Sequence, residues 1–433
     1  MQSATAARVT RWQIVTGATL LVGYSGYYVC RSNLSVAVPA LVADPTTGLD
    51  RAGIGVISSA GIVAYAVGKS ITGVAGDFVG GRVLFLGGLF LSVAATLAFS
   101  ASATPGWFLA FWTMNRFVQS AGWGGLTKTA AHWYPPHRYG MVMSLLSLSF
   151  LFGDAIGRFL LGGLLSGGLG WRGVFVAAAV ALATIGLVAM FVLKTSPVDV
   201  GLPEPDVSAA NIYGEGGRAS RPEGIGDLLG PYLASASFWL VCGLSFGMTL
   251  IREAFNTWIP VYLVDAHGLA PGSAARYSAL FPFIGGISAL IVGVVTDRAG
   301  SGNRVSLVVP AMALCALSLA GLSISTVRHD LTLALVAIAA TAFCLLGPYT
   351  LLAGAIAMDM GGRKGSATAA GLIDTAGYVG GVFSGVAVGR LAESGGWSAV
   401  FNVLAVLASA VMIAAAGYWL AQRYRVVPLP KSA

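Results

Sequence analysis

Apolar stretches, broken by short polar turns, follow one another along almost the whole chain. A helix crosses a bilayer core with about 20 apolar residues. On that length the pattern predicts twelve spans, at 12–42, 54–75, 82–101, 105–131, 139–166, 172–194, 236–264, 274–296, 305–325, 330–358, 366–390 and 397–420. The one long polar interruption, 195–235, gathers Pro197, Pro203, Pro205, Gly214, Gly216, Gly217 and Pro222 and separates six spans from six. The expected fold is an all-α integral membrane protein with two pseudo-symmetric six-helix bundles, 1–194 and 236–433, joined by the linker 195–235.

The two halves repeat. Gly73-Val-Ala-Gly-Asp77 followed by Arg82 recurs as Gly293-Val-Val-Thr-Asp297 followed by Arg304, each just after a second span. Gly170-Trp171-Arg-Gly-Val-Phe175 recurs as Gly396-Trp397-Ser-Ala-Val-Phe401, each opening a sixth span. Each match alone reads as turn glycines and an interfacial tryptophan. A shared offset near 220 residues at matching topological places makes them an internal duplication.

Composition agrees with the pattern. At 56% hydrophobic and 10% charged, 433 residues carry too little charge to cover a water-soluble surface of this size. The net charge of +8 comes from single basic residues at the ends of apolar runs, not from a stripe or tail that would grip nucleic acid. With an N-terminus in the cytoplasm, that side holds Arg8, Arg11, Arg82, Lys128, Arg138, Lys194, Arg218, Arg221, Arg298, Arg304, Arg363, Lys364, Arg423, Arg425 and Lys431. The other side holds Arg51, Arg172, Arg276, Arg328 and Arg390. The bias places both termini and the linker in the cytoplasm. Arg8 and Arg11 precede the first span as in a signal peptide, but that span is too long for one and contains Arg31, so it is expected to stay in the mature chain.

Five cations interrupt the apolar spans: Arg31, Lys69, Arg116, Arg158 and Arg252. Each costs roughly 2.5–3.5 kcal/mol at a helix centre, so partners or a wet cavity are required. The span carboxylates are Asp154, Glu253 and Asp374. Asp154 and Arg158 share a face at i, i+4, whereas adjacent Arg252 and Glu253 point about 100° apart, which makes local pairing poor. The remaining cationic surplus points to an anionic ligand. Arg31 and Arg252 lie 221 residues apart at corresponding places in the first and seventh spans, so pseudo-symmetry aims one guanidinium from each half at the centre. Their planar donor forks suit a phosphate bridging them. Tyr24, Tyr27 and Tyr28 precede Arg31 at helical spacing, and each fits either a cavity wall or ordinary packing. Asn256, one turn after Arg252, is placed to bond a sugar hydroxyl or a neighbouring helix.

The duplicated Gly-x-x-x-Asp loops in a six-plus-six chain resemble the major facilitator superfamily. That resemblance implies rocker-switch alternating access about a site between the halves. Within that superfamily, several segments resemble the organophosphate:phosphate antiporters, the group of glycerol-3-phosphate and sugar-phosphate transporters. They are Gly23-Tyr24-Ser-Gly-Tyr27-Tyr28-Val-Cys-Arg31-Ser-Asn33, Lys69, Gln119 with Gly122-Trp123, Pro197-Val-Asp-Val-Gly-Leu202, and Arg252 with Trp258 and Pro260. The resemblance implies that Arg31 and Arg252 hold phosphate and that Lys69 lines the pore, against a snorkelling alternative. It adds Tyr24, Tyr28 and Gln119 to Asn256 as candidate substrate contacts, with inorganic phosphate as counter-substrate; a monomer of the inner membrane is expected.

Departures from that family bear on the substrate. Ser149 stands where several bacterial relatives have a histidine, so that proton site does not carry over. Arg116, Asp154 and Arg158 are extra charges, expected to form an interhelical ion cluster. Asp374, near the pseudo-symmetric counterpart of Ser149, is a candidate cavity residue that neutralises a cation, binds substrate or titrates. Arg31-Ser-Asn-Leu-Ser35 also resembles the first-span motif of anion:cation symporters, which leaves proton-coupled uptake of an organic carboxylate as one alternative. A transporter-like sensor of a phosphorylated ligand is another. Gly68-Lys69-Ser70 is no nucleotide loop, because Val63 stands where that motif needs glycine. His132, His137, His267 and His329 lack metal-ligand spacing, and Cys30, Cys242, Cys315 and Cys344 lie singly in apolar runs. No cofactor, metal, nucleic-acid partner or enzymatic nucleophile is implied.

Overall fold

The computed structural model describes residues 2–300 and 303–425. Its helices are α1 Gln2–Ala43, α2 Arg51–Val79, α3 Gly81–Ala101, α4 Pro105–Gln119, α5 Ala121–Trp133, α6 Tyr139–Ser166 and α7 Trp171–Val192. The linker carries α8 Ile225–Leu233. The second half has α9 Ala236–His267, α10 Pro271–Ser278, α11 Leu280–Ala299, α12 Val308–Arg328, α13 Leu331–Leu351 and α14 Ala357–Arg425. Helix starts carry the expected caps. The carboxylate of Asp50 accepts from Gly53 N–H at the head of α2, and that of Asp330 accepts from Leu333 N–H at the head of α13.

These helices make twelve spans. The fourth is α4 and α5, stepping at Ser120, and the eighth is α10 with α11. The sequence placed turns at 359–365 and 391–396. There the chain instead runs as one helical stretch that changes direction at Gly362 (φ 55°) and Gly396 (φ 71°). Glycine alone takes such left-handed angles cheaply, so two residues do the work of two loops. Large apolar side chains such as Phe159 (81% exposed), Phe191, Val327 and Val406 point outward, as a surface solvated by lipid tails requires.

The duplicated motifs have duplicated partners. Trp171 donates its indole N–H to Asp44, just past the first span (2.8 Å), and Trp397 donates to Asp265, near the end of the seventh (3.2 Å). Asp77 accepts the backbone N–H groups of Ala367 (3.3 Å) and Thr368 (2.8 Å) as the eleventh span begins, and it pairs with Lys128 (2.8 Å). Asp297 accepts those of Gly140 (2.7 Å) and Met141 (2.8 Å) at the head of α6 and pairs with Arg304 (2.7 Å). Each carboxylate thus caps orphan donors of a helix in the opposite half. The motif glycines permit the approach: a Cβ on Gly73 would lie 2.8 Å from the Ala367 carbonyl, and one on Gly293 would lie 2.8 Å from that of Gly140.

The linker strengthens this fastening. Glu204 meets both His132 and Arg363, while Asp227 meets Lys364 (2.5 Å). The hydrogen bond from His132, and then Arg363, hold the Glu204 carboxyl below its ordinary range. Among the described residues, the hydrogen bonds between halves run from the level of Ala66 and Lys69 to the face where Glu204 and Asp227 of the linker lie. That face is closed. Asp297→Asn should weaken it, because the α6 amides and Arg304 lose their shared carboxylate. Maleimide labelling of an introduced Thr368→Cys, otherwise buried, should then rise several-fold; unchanged labelling would mean the carboxylate does not hold the face shut.

Candidate functional site

A cavity lies between the halves. From the first half it is lined by Tyr24, Tyr28, Tyr65, Lys69, Trp123, Ser147 and Phe150, and from the second by Ser245, Arg252, Tyr349, Thr350, Leu352, Ala353, Asp374 and Tyr378. Five of the eight candidate residues are therefore wall residues: Tyr24, Tyr28, Lys69, Arg252 and Asp374. Asn256 is exposed in an adjoining hollow that it shares with Arg252.

Arg31 sits just behind that wall. Its guanidinium donates to the Tyr28 hydroxyl (3.1 Å) and lies 4.5 Å from the centre of the Tyr65 ring. Arg116 lies over the same ring, also at 4.5 Å, and Lys69 at 5.0 Å. Three cations of the first half thus converge on one aromatic face system, which attracts them through its quadrupole. Opposite, Arg252 lies 4.6 Å from the centre of the Tyr349 ring.

Gln119 is not a wall residue. It is buried in a polar network, donating to Asn115 (3.2 Å), Ser92 (3.2 Å) and the Cys30 carbonyl (3.4 Å), and its own carbonyl accepts from Arg116 (3.3 Å). It therefore positions an arginine rather than facing the cavity.

The carboxylates differ from expectation in two respects. Arg252 and Glu253 do pair, despite their angular offset, because both long side chains bend to the same side. Arg116 takes no part in a cluster with Asp154 and Arg158: those two pair with each other (2.8 Å) at an exposed position on α6, while Arg116 is buried by Tyr65. Asp374 reaches across the cavity to Lys69 (2.7 Å), and Ser70 and Thr375 bond beside them (2.7 Å). Ser149 turns its hydroxyl back to the Leu146 carbonyl, and Ser147 faces the cavity in its place.

Sequence reasoning passed over Tyr65, Tyr349 and Tyr378. Two of them carried a signal: Tyr65 precedes Lys69 by one helical turn, and Tyr378 follows Asp374 by one. Their rings meet edge to face at 5.2 Å across the halves. Trp123 also crosses, donating to the Ala353 carbonyl (2.8 Å). That carbonyl is offered by a π-helical segment, Leu352–Ile356, where Gly354 leaves helical geometry.

Residues 20–385 match the Major Facilitator Superfamily. The chain is similar to the probable hexose phosphate transport protein of Chlamydia pneumoniae, 26% identical over 413 residues, covering 93% of this chain and 90% of that protein. It is equally similar, at 26%, to the glycerol-3-phosphate transporter of Bacillus subtilis, covering 91% and 89%. Similarity to the membrane sensor protein UhpC of Salmonella typhimurium is 25%, covering 93% and 90%. Among solved structures, FucP, a major facilitator transporter in the outward conformation, matches with a TM-score of 0.69 at 15% identity, over 94% of this chain and 99% of that one. The human organic anion transporter MFSD10 matches at 0.69 and 14% identity, over 93% and 99%.

Proposed function

The chain belongs to the major facilitator superfamily, and from that premise we propose that it is a secondary active transporter of an organic phosphate. A sugar phosphate or glycerol phosphate crosses the cell (inner) membrane in exchange for inorganic phosphate, by alternating access. Both termini and the linker are cytoplasmic on this reading, so the closed face is the cytoplasmic one. The observation that carries the reading is the set of cations around the cavity: Arg31, Arg116 and Lys69 on one side and Arg252 on the other, against, among the described residues, Asp374 and Glu253. A phosphate dianion neutralises that surplus. Relatives named for hexose phosphate and glycerol 3-phosphate transport point to the same chemistry.

The test is counterflow in proteoliposomes. Vesicles loaded with phosphate should take up labelled glycerol 3-phosphate or hexose phosphate without an imposed ion gradient, and vesicles without internal phosphate should take up little. Equal uptake into empty vesicles under a proton gradient would instead establish the symporter of organic anions. The similarity to a membrane sensor supports a second reading, in which ligand binding is retained and uptake is absent under every loading condition.

A further inference from the structure

Arg116 has so far counted only toward the cationic surplus around the cavity. It stands in the middle of the fourth span, 5% exposed, and among the described residues no carboxylate pairs with it. A structural arginine at such depth is ordinarily neutralised, because a buried unpaired charge is strongly destabilising. Lys69 has Asp374 and Arg252 has Glu253, but among the described residues Arg31 and Arg116 have no carboxylate partner.

The protein is nevertheless built around this side chain. A Cβ on Gly61 would come within 2.8 Å of Arg116 Cγ and 2.6 Å of the Trp112 indole nitrogen, so that glycine keeps a channel across α2 for the arginine stem. The Gln119 carbonyl that receives one guanidinium N–H is itself fixed by Asn115, Ser92 and the Cys30 carbonyl. Asn115 is in turn tied to Ser92 (2.7 Å) and Thr96 (3.3 Å). A guanidinium has five donors, and one is accounted for here. The head is held in place while most of its hydrogen-bonding capacity is left over, as in a prepared ligand site.

Arg31 and Arg116 lie over one ring at the same 4.5 Å, so the two heads are within twice that distance of each other. Both belong to the first bundle, so rocking of the halves does not separate them. We propose that Arg116 and Arg31 form an anion-docking subsite carried wholly by the first bundle, which receives the phosphate group of the substrate before Arg252 engages it. This rests on the reading of the chain as a carrier of phosphorylated anions. The subsite makes Arg116 a determinant of ligand charge: two unpaired guanidiniums match a doubly charged phosphate better than a singly charged group of the same shape.

The experiment is equilibrium binding to the purified full-length protein in nanodiscs, with glycerol 3-phosphate as the probe at pH 7.5. Glycerol 3-sulfate, a singly charged isostere, serves as comparator. Wild type should prefer the phosphate, and Arg116→Gln should weaken phosphate binding by about tenfold or more while changing sulfate binding less. Arg116→Lys, which keeps the charge, should retain most of the preference, and it decides the matter if the glutamine variant unfolds. Arg31→Gln combined with Arg116→Gln should be no weaker than the product of single losses and is expected well short of it. Arg158→Gln, which alters a cation on the outer surface, should bind as wild type. Unaltered phosphate preference in Arg116→Gln, or loss of preference in a folded Arg116→Lys, overturns the subsite alone. Failure of wild type to bind glycerol 3-phosphate overturns the functional reading with it.

Discussion

Replacing Arg252 by lysine, with the charge retained, should reduce phosphate exchange by on the order of 30-fold or more at matched membrane expression. Arg31→Lys should do the same. The two residues face the cavity region from opposite bundles, each backed by an aromatic ring: Tyr65 for Arg31 and Tyr349 for Arg252. Arginine presents a planar fork that grips two phosphate oxygens, whereas lysine offers a mobile point charge. Arg252 is paired with Glu253, and among the described residues its buried Nε has no partner. Phosphate can take the place of that carboxylate and satisfy the orphaned donor as well, so Arg252 gains more from the ligand than a solvated arginine would. The double variant should be little worse than either single one, because one lost fork already leaves the shared phosphate poorly held. Exchange assayed in proteoliposomes decides this. Near-normal rates in either single variant would remove the clamp.

Much of the architecture was legible because bilayer physics writes it into the sequence. Apolar runs had to be long enough to cross, and the polar stretch 195–235 had to lie outside, so the count of spans and the division into halves followed. The duplicated loops were visible as repeats, but their meaning was not. Nothing local to Asp77 says that its partners are the amides of Ala367 and Thr368, 290 residues away. Likewise the repeated tryptophans showed where a sixth span starts, while their carboxylate partners, Asp44 and Asp265, emerged only from the packing.

The candidate site was legible where helical periodicity ran from a charged residue. Tyr24 and Tyr28 do share the cavity with Lys69 and Arg252. Periodicity gives a helix its faces but does not say which face meets which neighbour. Arg116 was therefore grouped with Asp154 and Arg158 on charge alone, although the latter two lie on the outer surface and Arg116 points inward. The angular argument against Arg252 and Glu253 also failed for a physical reason. It applies to Cβ directions, and flexible side chains of three or more carbons can close 100° of arc when a cavity leaves them room.

Asp374→Asn should destabilise the ligand-free protein by about 3–5 kcal/mol and make it respond more strongly to phosphate. Lys69 is 3% exposed and its charge is answered by Asp374 at 2.7 Å. Removing the carboxylate leaves an unpaired ammonium in the cavity wall beside the Tyr65 ring. The pair joins α2 to α14, hence one bundle to the other, so on the proposed alternating-access mechanism it parts when the closed face opens. An anion in the cavity offers Lys69 a replacement partner, which couples occupancy to that opening. Thermal unfolding should therefore show a lower midpoint for Asp374→Asn, a larger upward shift on adding phosphate than in wild type, and recovery in the Lys69→Met/Asp374→Asn double variant. Recovery is the discriminating result, because deleting both charges removes the unpaired cation as well as the bridge. A single variant with wild-type midpoint and wild-type phosphate response would mean that Asp374 neither braces the halves nor competes with the substrate for Lys69.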